Sequence, residues 1–242
     1  MGRWKAILFD LDGTLLDNNM DVFARRFFER LASKLGHLLP PSELVARVMN
    51  ITREMASHDG ARTNEEIFNA SFYPLGSCPR GEAESLLRDF YERDFKDLKQ
   101  HTQRKAEARQ VVLQALEAGC DVVLATNPVF PKSAIEQRMA WAGIEDLPFR
   151  LVTTSENSRS AKPNPRYFQE VLSQIGRSPS ECLMIGDEAG DMVAGQLGCA
   201  TFLVPSATTK LAENVPTYRG ALSEVLGLLE PTSKVSNEGA RG

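Results

Sequence analysis

The sequence predicts an α/β protein, in which a doubly wound parallel sheet carries an inserted α-helical domain. Three observations lead to this fold class. Short apolar runs alternate with amphipathic helical stretches, one long block of helical pattern interrupts the alternation, and 242 residues suffice for a large domain with an insertion. Hydrophobic residues make up 42% of the chain and charged residues 25%, which is typical of a globular protein.

Five short apolar runs are predicted to be the strands of one buried parallel sheet. They are apolar on both faces and rich in β-branched residues, as strands covered by helices on both sides must be. A helix between two of them begins after Asn164 as N-cap, with Pro165 at its first position, and ends at Gly176. Strands that alternate with such helices indicate βαβ units. The predicted strands are residues 6–9, 122–125, 151–153, 183–185 and 201–204.

Residues 18–99 interrupt this pattern, because they contain no convincing strand. Apolar residues repeat there at helical spacing in four stretches, and Thr63 with Glu66 forms a capping-box pattern ahead of the third. We therefore predict a four-helix insertion that packs as a small bundle over the sheet. The predicted organisation is an α/β core of residues 1–17 and 100–230, a helical cap domain of residues 18–99, and a disordered tail of residues 231–242.

The composition argues against several classes of function. The chain has 28 Lys and Arg against 32 Asp and Glu, a net charge of −4, so no broad basic surface for nucleic acid or anionic lipid is expected. No apolar stretch approaches the ~20 residues that span a bilayer, and the first residues lack the pattern of a signal peptide. Four scattered cysteines without a CxxC pair predict buried free thiols. We therefore expect a cytoplasmic protein that binds neither nucleic acid nor a membrane.

Polar side chains follow four of the predicted strands. In open α/β sheets, ligands bind in the crevice beyond the carboxyl ends of the strands, so these side chains are expected to face one crevice. Any one of them has an ordinary explanation as a helix cap or a solvated charge, but four strand ends together do not. In strand order, the residues are Asp10 and Asp12, then Thr126 and Asn127, then Lys162, then Asp187 and Asp191.

This set of side chains predicts phosphoryl-transfer chemistry. Asp10, Asp12 and Asp187 in close contact would raise one another's pKa unless a cation neutralised them, and oxygen ligands without thiolates select Mg²⁺. A lysine, a threonine hydroxyl and backbone amides beside that ion form a pocket for a phosphoryl dianion. One carboxylate can attack phosphorus, and a second, two residues further on, can protonate the leaving oxygen and then activate water.

Four segments resemble, in order and spacing, the motifs of the haloacid dehalogenase (HAD) superfamily. The first contains Asp10-Leu11-Asp12-Gly13-Thr14, and the others are residues 124–127, 161–165 and 186–191. The resemblance extends from about residue 5 to about residue 230. It implies a Rossmann-like core, a helical C1 cap between the first two motifs, and a hydrolase similar to phosphoglycolate phosphatases.

The resemblance also implies catalytic roles for individual residues. Asp10 would be the nucleophile, and Asp12 would be the general acid and base. Thr126 and Lys162 would hold the phosphoryl oxygens and stabilise the phosphorylated intermediate, and Asn127 would assist through its amide.

A metal site is implied by the same motifs. Mg²⁺ would be held by the carboxylate of Asp10, the main-chain carbonyl of Asp12, and Asp187. Asp191 would bind a metal-bound water or orient the cluster.

Several activities of this superfamily fit the sequence less well than a phosphatase. Dehalogenases lack the second aspartate, P-type ATPases need membrane helices, and phosphonatases use a cap lysine that residues 45–53 do not supply. We therefore expect a Mg²⁺-dependent phosphatase acting on a small soluble phosphorylated metabolite. A phosphomutase acting on a sugar phosphate and a non-catalytic phosphometabolite-binding protein remain alternatives. Four cap residues are candidates for contacting the rest of the substrate: Arg47, Arg53, His58 and Arg62.

Overall fold

The computed structural model describes residues 3–206, 209 and 215–230. The predicted disordered tail of residues 231–242 lies outside this part of the chain. Eight strands occur in the described part: β1 (Ala6–Phe9), β2 (Leu16–Asn18), β3 (Thr102–Arg104), β4 (Asp121–Leu124), β5 (Leu151–Val152), β6 (Cys182–Gly186), β7 (Ala200–Leu203) and β8 (Tyr218–Arg219).

Six of these strands form one parallel sheet in the order β5-β4-β1-β6-β7-β8. The first strand lies at the centre, where Phe9 pairs with Leu124 on one side and with Ile185 on the other. Strands β1 and β6 are buried along their whole length. The carboxyl ends of β1, β4 and β6 therefore lie side by side, so the residues that follow them meet at one edge of the sheet.

Nine α-helices occur in the described part of the chain. No helix in that part is both long and apolar enough to cross a membrane. They are α1 (Met20–Leu35), α2 (Pro41–Ser57), α3 (Asn64–Phe72), α4 (Arg80–Asp89), α5 (Ala108–Glu117), α6 (Lys132–Ala142), α7 (Pro165–Ile175), α8 (Ala189–Met192) and α9 (Val225–Leu229).

Two of the predicted helix boundaries can be compared directly with the structure. Helix α7 has Asn164 as its N-cap, whose side chain accepts from the amide of Arg166, and it ends at Gly176. Helix α3 begins with the capping box of Thr63 and Glu66. Both predictions are confirmed, because capping depends on residues within one turn of the helix end.

The four helices α1 to α4 form the predicted insertion, and a two-stranded ribbon stands at its two ends. Strands β2 and β3 pair antiparallel, with Leu16 opposite Arg104 and Asn18 opposite Thr102. The sequence did not predict this ribbon, because three residues are too few for a recognisable alternation. The division into core and cap at residues 18 and 99 stays a prediction, and the ribbon lies close to both of these positions.

The insertion is packed onto the sheet through an aromatic cluster, which consists of Phe23, Phe27, Phe90, Phe95 and Phe130. Phe130 follows β4, whereas the other four belong to the insertion. The rings of Phe27 and Phe130 meet edge to face, with centroids 5.4 Å apart. Such a pair contributes about 0.5–1.5 kcal/mol beyond the area that it buries.

A second attachment lies at the turn between α2 and α3. Asn64 is fully buried there, and its side-chain amide donates to the main-chain carbonyls of Pro128 and Ser160, both at 3.0 Å. Its own main-chain amide donates to the carbonyl of Ser158 at 2.8 Å. Two loops at the carboxyl edge of the sheet are thereby fixed to this turn of the insertion.

All four cysteines are buried and free, as the sequence predicts.

Candidate active site

The residues that follow β1, β4 and β6 meet at one edge of the sheet, where they line a cleft of about 380 Å³. Lys162 and its neighbour Pro163 reach the same cleft from the segment that leads into α7. The predicted site residues found in the cleft lining are Asp10, Asp12, Thr126, Asn127, Lys162 and Asp191. Asp187 is not among the described residues of the lining, but one of its carboxylate oxygens lies within 4.8 Å of oxygens of Asp10 and Asp191.

Three carboxylates are clustered in this site. Asp10, Asp187 and Asp191 each offer an oxygen within 4.8 Å of the others, and these residues are 7%, 2% and 1% exposed. Burial, together with the nearby carboxylates, raises the pKa of Asp10 well above its ordinary value. Burial and the charge of Asp191 likewise raise the pKa of Asp187 to about 7. The ionised form of these buried carboxylates therefore needs a nearby positive charge to stabilise it.

Lys162 forms ion pairs with two of these three carboxylates. Its ammonium donates to Oδ1 of Asp10 at 2.7 Å and to Oδ1 of Asp191 at 2.5 Å. Burial alone would lower the pKa of Lys162, but the charges of Asp10 and Asp191 raise it above its ordinary value. With all three carboxylates ionised, one positive charge against three negative charges leaves an excess of two, which matches a divalent cation.

Two glycines allow the carboxylates to approach the main chain closely. Gly13 has a φ of +83°, and a Cβ atom at this position would lie 2.1 Å from Oδ2 of Asp187. A Cβ atom on Gly186 would lie 2.2 Å from Oδ2 of Asp191. The glycines of the first and fourth motifs thus leave the space that the two carboxylates occupy.

The carboxylate of Asp12 is bound on both of its oxygens. Oδ1 accepts from Nδ2 of Asn18 at 2.7 Å, and Oδ2 accepts from Nη1 of Arg138, which belongs to α6. Sequence reasoning missed both partners. The available signal was a charged residue on an apolar helix face, since Arg138 stands four residues after buried Ala134 and three after buried Ile135.

The loop after β4 is fixed by its main chain. The carbonyl oxygen of Thr126 accepts from the hydroxyls of Thr153 at 2.7 Å and Tyr167 at 3.0 Å. The side-chain oxygen of Asn127 is buried and has no hydrogen-bond partner among the described residues. Another residue that the sequence analysis did not single out is Lys105, whose ammonium donates to the main-chain carbonyl of Gly13.

The four candidate specificity residues of the insertion bond elsewhere. Arg47 donates to the carbonyls of Phe72 and Pro74, both at 2.9 Å, Arg53 donates to Asn50 at 2.6 Å, and Arg62 donates to Glu54 at 3.3 Å. Neither these arginines nor His58 is among the described residues that line the cleft. Met20, at the start of α1, reaches the cleft from the insertion instead.

Comparison with known proteins decides the family. A model of the haloacid dehalogenase-like hydrolases matches residues 4–197. The chain belongs to this family. The predicted superfamily and the predicted class of enzyme, a HAD-like hydrolase with phosphatases among its relatives, are confirmed.

The relatives of this HAD-like hydrolase include two named phosphatases. It is 31% identical over 196 residues to the N-acetylmuramic acid 6-phosphate phosphatase of Pseudomonas aeruginosa. The matched region covers 80% of this chain and 78% of that protein. It is 27% identical over 201 residues to a phosphoglycolate phosphatase of Vibrio vulnificus, and the matched region covers 82% of each chain.

Solved structures support the fold of this HAD-like hydrolase. The crystal structure of the HAD-hydrolase YfnB from Bacillus subtilis, bound to magnesium, matches with a TM-score of 0.56 and 23% identity. The match covers 95% of this chain and 100% of that chain. The predicted fold class, a doubly wound α/β core with a helical cap, is confirmed.

Proposed function

We propose that this HAD-like hydrolase is a Mg²⁺-dependent phosphatase that hydrolyses a small phosphomonoester through an aspartyl-phosphate on Asp10. The observation that carries the proposal is the buried cluster of Asp10, Asp187 and Asp191, bridged by Lys162 at the carboxyl edge of the sheet. The names of the relatives support a phosphatase.

The donor set of the cluster fits magnesium. It consists of oxygen atoms without sulfur or imidazole. Its excess of two negative charges would balance the two positive charges of the ion. Asp10, Asp187 and the main-chain carbonyl of Asp12 would hold the ion, and Asp191 would orient the cluster or bind a coordinated water. Bound Mg²⁺ would neutralise the negative charge that develops on the phosphoryl group. The magnesium in the YfnB structure is consistent with this assignment.

In the first step of the proposed mechanism, a carboxylate oxygen of Asp10 attacks phosphorus. The bond between phosphorus and the leaving oxygen breaks, and that oxygen takes a proton from the carboxyl of Asp12. Lys162 would stabilise charge on the phosphoryl oxygens through its ammonium, and its direct contact with Asp10 supports this role.

In the second step, Asp12 takes a proton from water as the water oxygen attacks phosphorus. The bond between phosphorus and the Asp10 oxygen breaks, which restores the carboxylate and releases phosphate. Thr126 and Asn127 line the cleft beside Asp10 and would orient the phosphoryl oxygens by hydrogen bonds.

The cleft volume favours a small substrate. About 380 Å³ accommodates a phosphorylated metabolite of modest size, and the names of the relatives point to phosphoglycolate and to a phosphorylated amino sugar acid as members of a first test panel. The cytoplasmic location and the absence of nucleic-acid binding stay predictions.

The decisive experiment measures phosphate release from a panel of phosphorylated metabolites, with Mg²⁺ and with EDTA. Wild type is compared with Asp10→Asn and with Asp146→Asn, a control that changes an exposed carboxylate paired with Arg109. We expect release that needs Mg²⁺, is lost in Asp10→Asn and persists in Asp146→Asn.

Two other outcomes would contradict the proposal. Interconversion of sugar phosphate isomers without net phosphate release would indicate a phosphomutase. Binding of a phosphorylated metabolite with neither turnover nor phosphorylation of Asp10 would indicate a non-catalytic protein.

A further inference from the structure

A buried arginine stands behind the proposed general acid and base. The side chain of Arg138 is 1% exposed, and its Nη1 donates to Oδ2 of Asp12. We propose that Arg138 is a positioning residue, which holds the carboxylate of Asp12 where it exchanges protons with the leaving oxygen and with water. This inference rests on the proposed function, because it assigns a purpose to the orientation of Asp12 during that reaction.

The surroundings of Arg138 make a purely structural role costly. Its guanidinium lies 4.6 Å from the ring centroid of Phe130 and 6.0 Å from that of Phe23, inside the aromatic cluster. Its Nε and Nη2 atoms are buried without a hydrogen-bond partner among the described residues. A buried ion pair is generally no more stabilising than apolar side chains of the same volume, and unpaired N–H groups add a further penalty. Folding alone would therefore be served as well by methionine at this position.

The geometry of Asp12 shows what the arginine achieves. Arg138 binds one carboxylate oxygen from α6, and Asn18 binds the other from the end of β2, at 2.7 Å. The carboxylate cannot rotate without breaking one of these bonds. A carboxylate has about four acceptor positions, so both bonds together leave others for the substrate and for water.

Arg138 acts through Asp12 and not on the substrate. Asp12 is part of the cleft lining, whereas Arg138 is not among the described residues that line the cleft. Removal of Arg138 should therefore affect proton transfer by Asp12 more than it affects phosphate binding. This difference separates a positioning role from a general role in folding.

The test compares two substrates that differ in their need for a proton. The alcohol leaving from an alkyl phosphate must be protonated, but p-nitrophenolate leaves from p-nitrophenyl phosphate without a proton. Since kcat/KM reports the steps up to formation of the aspartyl-phosphate, we expect Arg138→Met to lower it about 100-fold for the alkyl substrate, the lower end of a typical general-acid contribution. For p-nitrophenyl phosphate we expect kcat/KM to fall by less than about 10-fold.

Three further variants complete the experiment. Arg138→Lys keeps a positive charge and should recover part of the loss. Arg109→Met breaks the exposed ion pair with Asp146 and should leave both kcat/KM values unchanged. In the Asp12→Asn background, Arg138→Met should produce no further loss with the alkyl substrate, because both changes remove the same function.

Other results would overturn the proposal. Equal losses on both substrates, or losses that multiply in the Asp12→Asn background, would make Arg138 a residue of general structural importance. So would failure of both Arg138 variants to fold, judged by circular dichroism and thermal unfolding. Persistent activity of Asp10→Asn would instead contradict the proposed function, so the two failures are distinguishable.

Discussion

The ammonium nitrogen of Lys162 lies 2.7 Å from Oδ1 of Asp10, and both side chains are buried. The same nitrogen contacts Asp191, so one cation is shared between two carboxylates of the cluster. This contact joins the segment before α7 to the end of β1, although 152 positions separate the two residues in the sequence. Because the cluster is removed from water, loss of Lys162 leaves the negative charges of Asp10 and Asp191 without this compensation.

Replacement of Lys162 by methionine should abolish most of the activity and increase the repulsion among the clustered carboxylates. We expect kcat/KM to fall by a factor on the order of 10²–10³, the typical effect of removing one group that stabilises developing charge. Phosphate release is the readout. Lys132→Met, which changes an exposed lysine paired with Glu136, is the control and should retain full activity. Equal activity of the two variants would show that Lys162 takes no part in the reaction.

The stability of the metal-free protein should fall as the pH rises. Burial and the nearby carboxylates raise the pKa of Asp187 from 3.8 to about 7 and that of Asp10 in the same direction. Between about pH 4 and pH 7 the folded protein therefore binds more protons than the unfolded chain, so the free energy of unfolding decreases across this window. Urea unfolding in EDTA, measured at several pH values, tests the sign.

Magnesium should remove this decline at the upper end of the window, because it binds the ionised carboxylates. Asp187→Asn should also flatten the pH dependence in EDTA. A metal-free protein that is as stable at pH 8 as at pH 5 would contradict the prediction.

Alanine at Gly13 should disrupt the site much more than its effect on the main chain alone explains. The new Cβ atom would fall 2.1 Å from Oδ2 of Asp187, so this carboxylate must move. Gly119→Ala is a matched control, because Gly119 has a similar φ of +76° but no atom within 4 Å of the place that an added methyl group would occupy. We expect Gly119→Ala to lower the free energy of unfolding by about 1–2 kcal/mol, the usual penalty for a left-handed conformation, and to keep its activity.

Gly13→Ala should combine that penalty with loss of phosphate release and of stabilisation by Mg²⁺. Thermal unfolding with and without Mg²⁺ separates the two effects. Retention of activity and of the Mg²⁺ effect in Gly13→Ala would mean that the position of Asp187 is not critical.

Removal of the Asn64 side chain should loosen the attachment of the insertion. Asn64→Ala breaks two buried hydrogen bonds to the carbonyls of Pro128 and Ser160, and it leaves both acceptors unpaired. We expect a loss of about 2–3 kcal/mol in the free energy of unfolding. Asn50→Ala, at an exposed position of α2, should cause little change in urea unfolding. Similar midpoints for the two variants would contradict a role of Asn64 in this attachment.

The sheet and the meeting of the candidate site residues at its carboxyl edge were predictable because the relevant signals are local. Each main strand is a continuous apolar run, and the polar residues that line the cleft come directly after these runs, as Asp10 and Asp187 do. Parallel pairing then brings the strand ends together without further information. The clustering of Asp191 with Asp10 and Asp187 follows in the same way, since Asp191 lies in the first turn of the helix after β6.

The contact between Arg138 and Asp12 was not predictable for the opposite reason. Arg138 lies 126 positions away in the sequence, and its contact depends on how α6 packs against the loop after β1. A buried arginine has the same sequence signal as a solvated one unless the apolar face of its helix is already known. Strands β2 and β3 were not predicted, because each has only three residues and because the whole insertion lies between them in the sequence.

The aromatic cluster has a consequence for how the molecule unfolds. The two faces of the sheet bury separate sets of side chains: Ile7 and Phe9 point into the interior that continues through Phe130 into the insertion, whereas Ala6 and Leu8 point toward α7. The insertion thus has no hydrophobic interior independent of the sheet. Melting of the insertion would open the interior that it shares with this face of β1, so the insertion and the sheet should unfold together in a single cooperative transition.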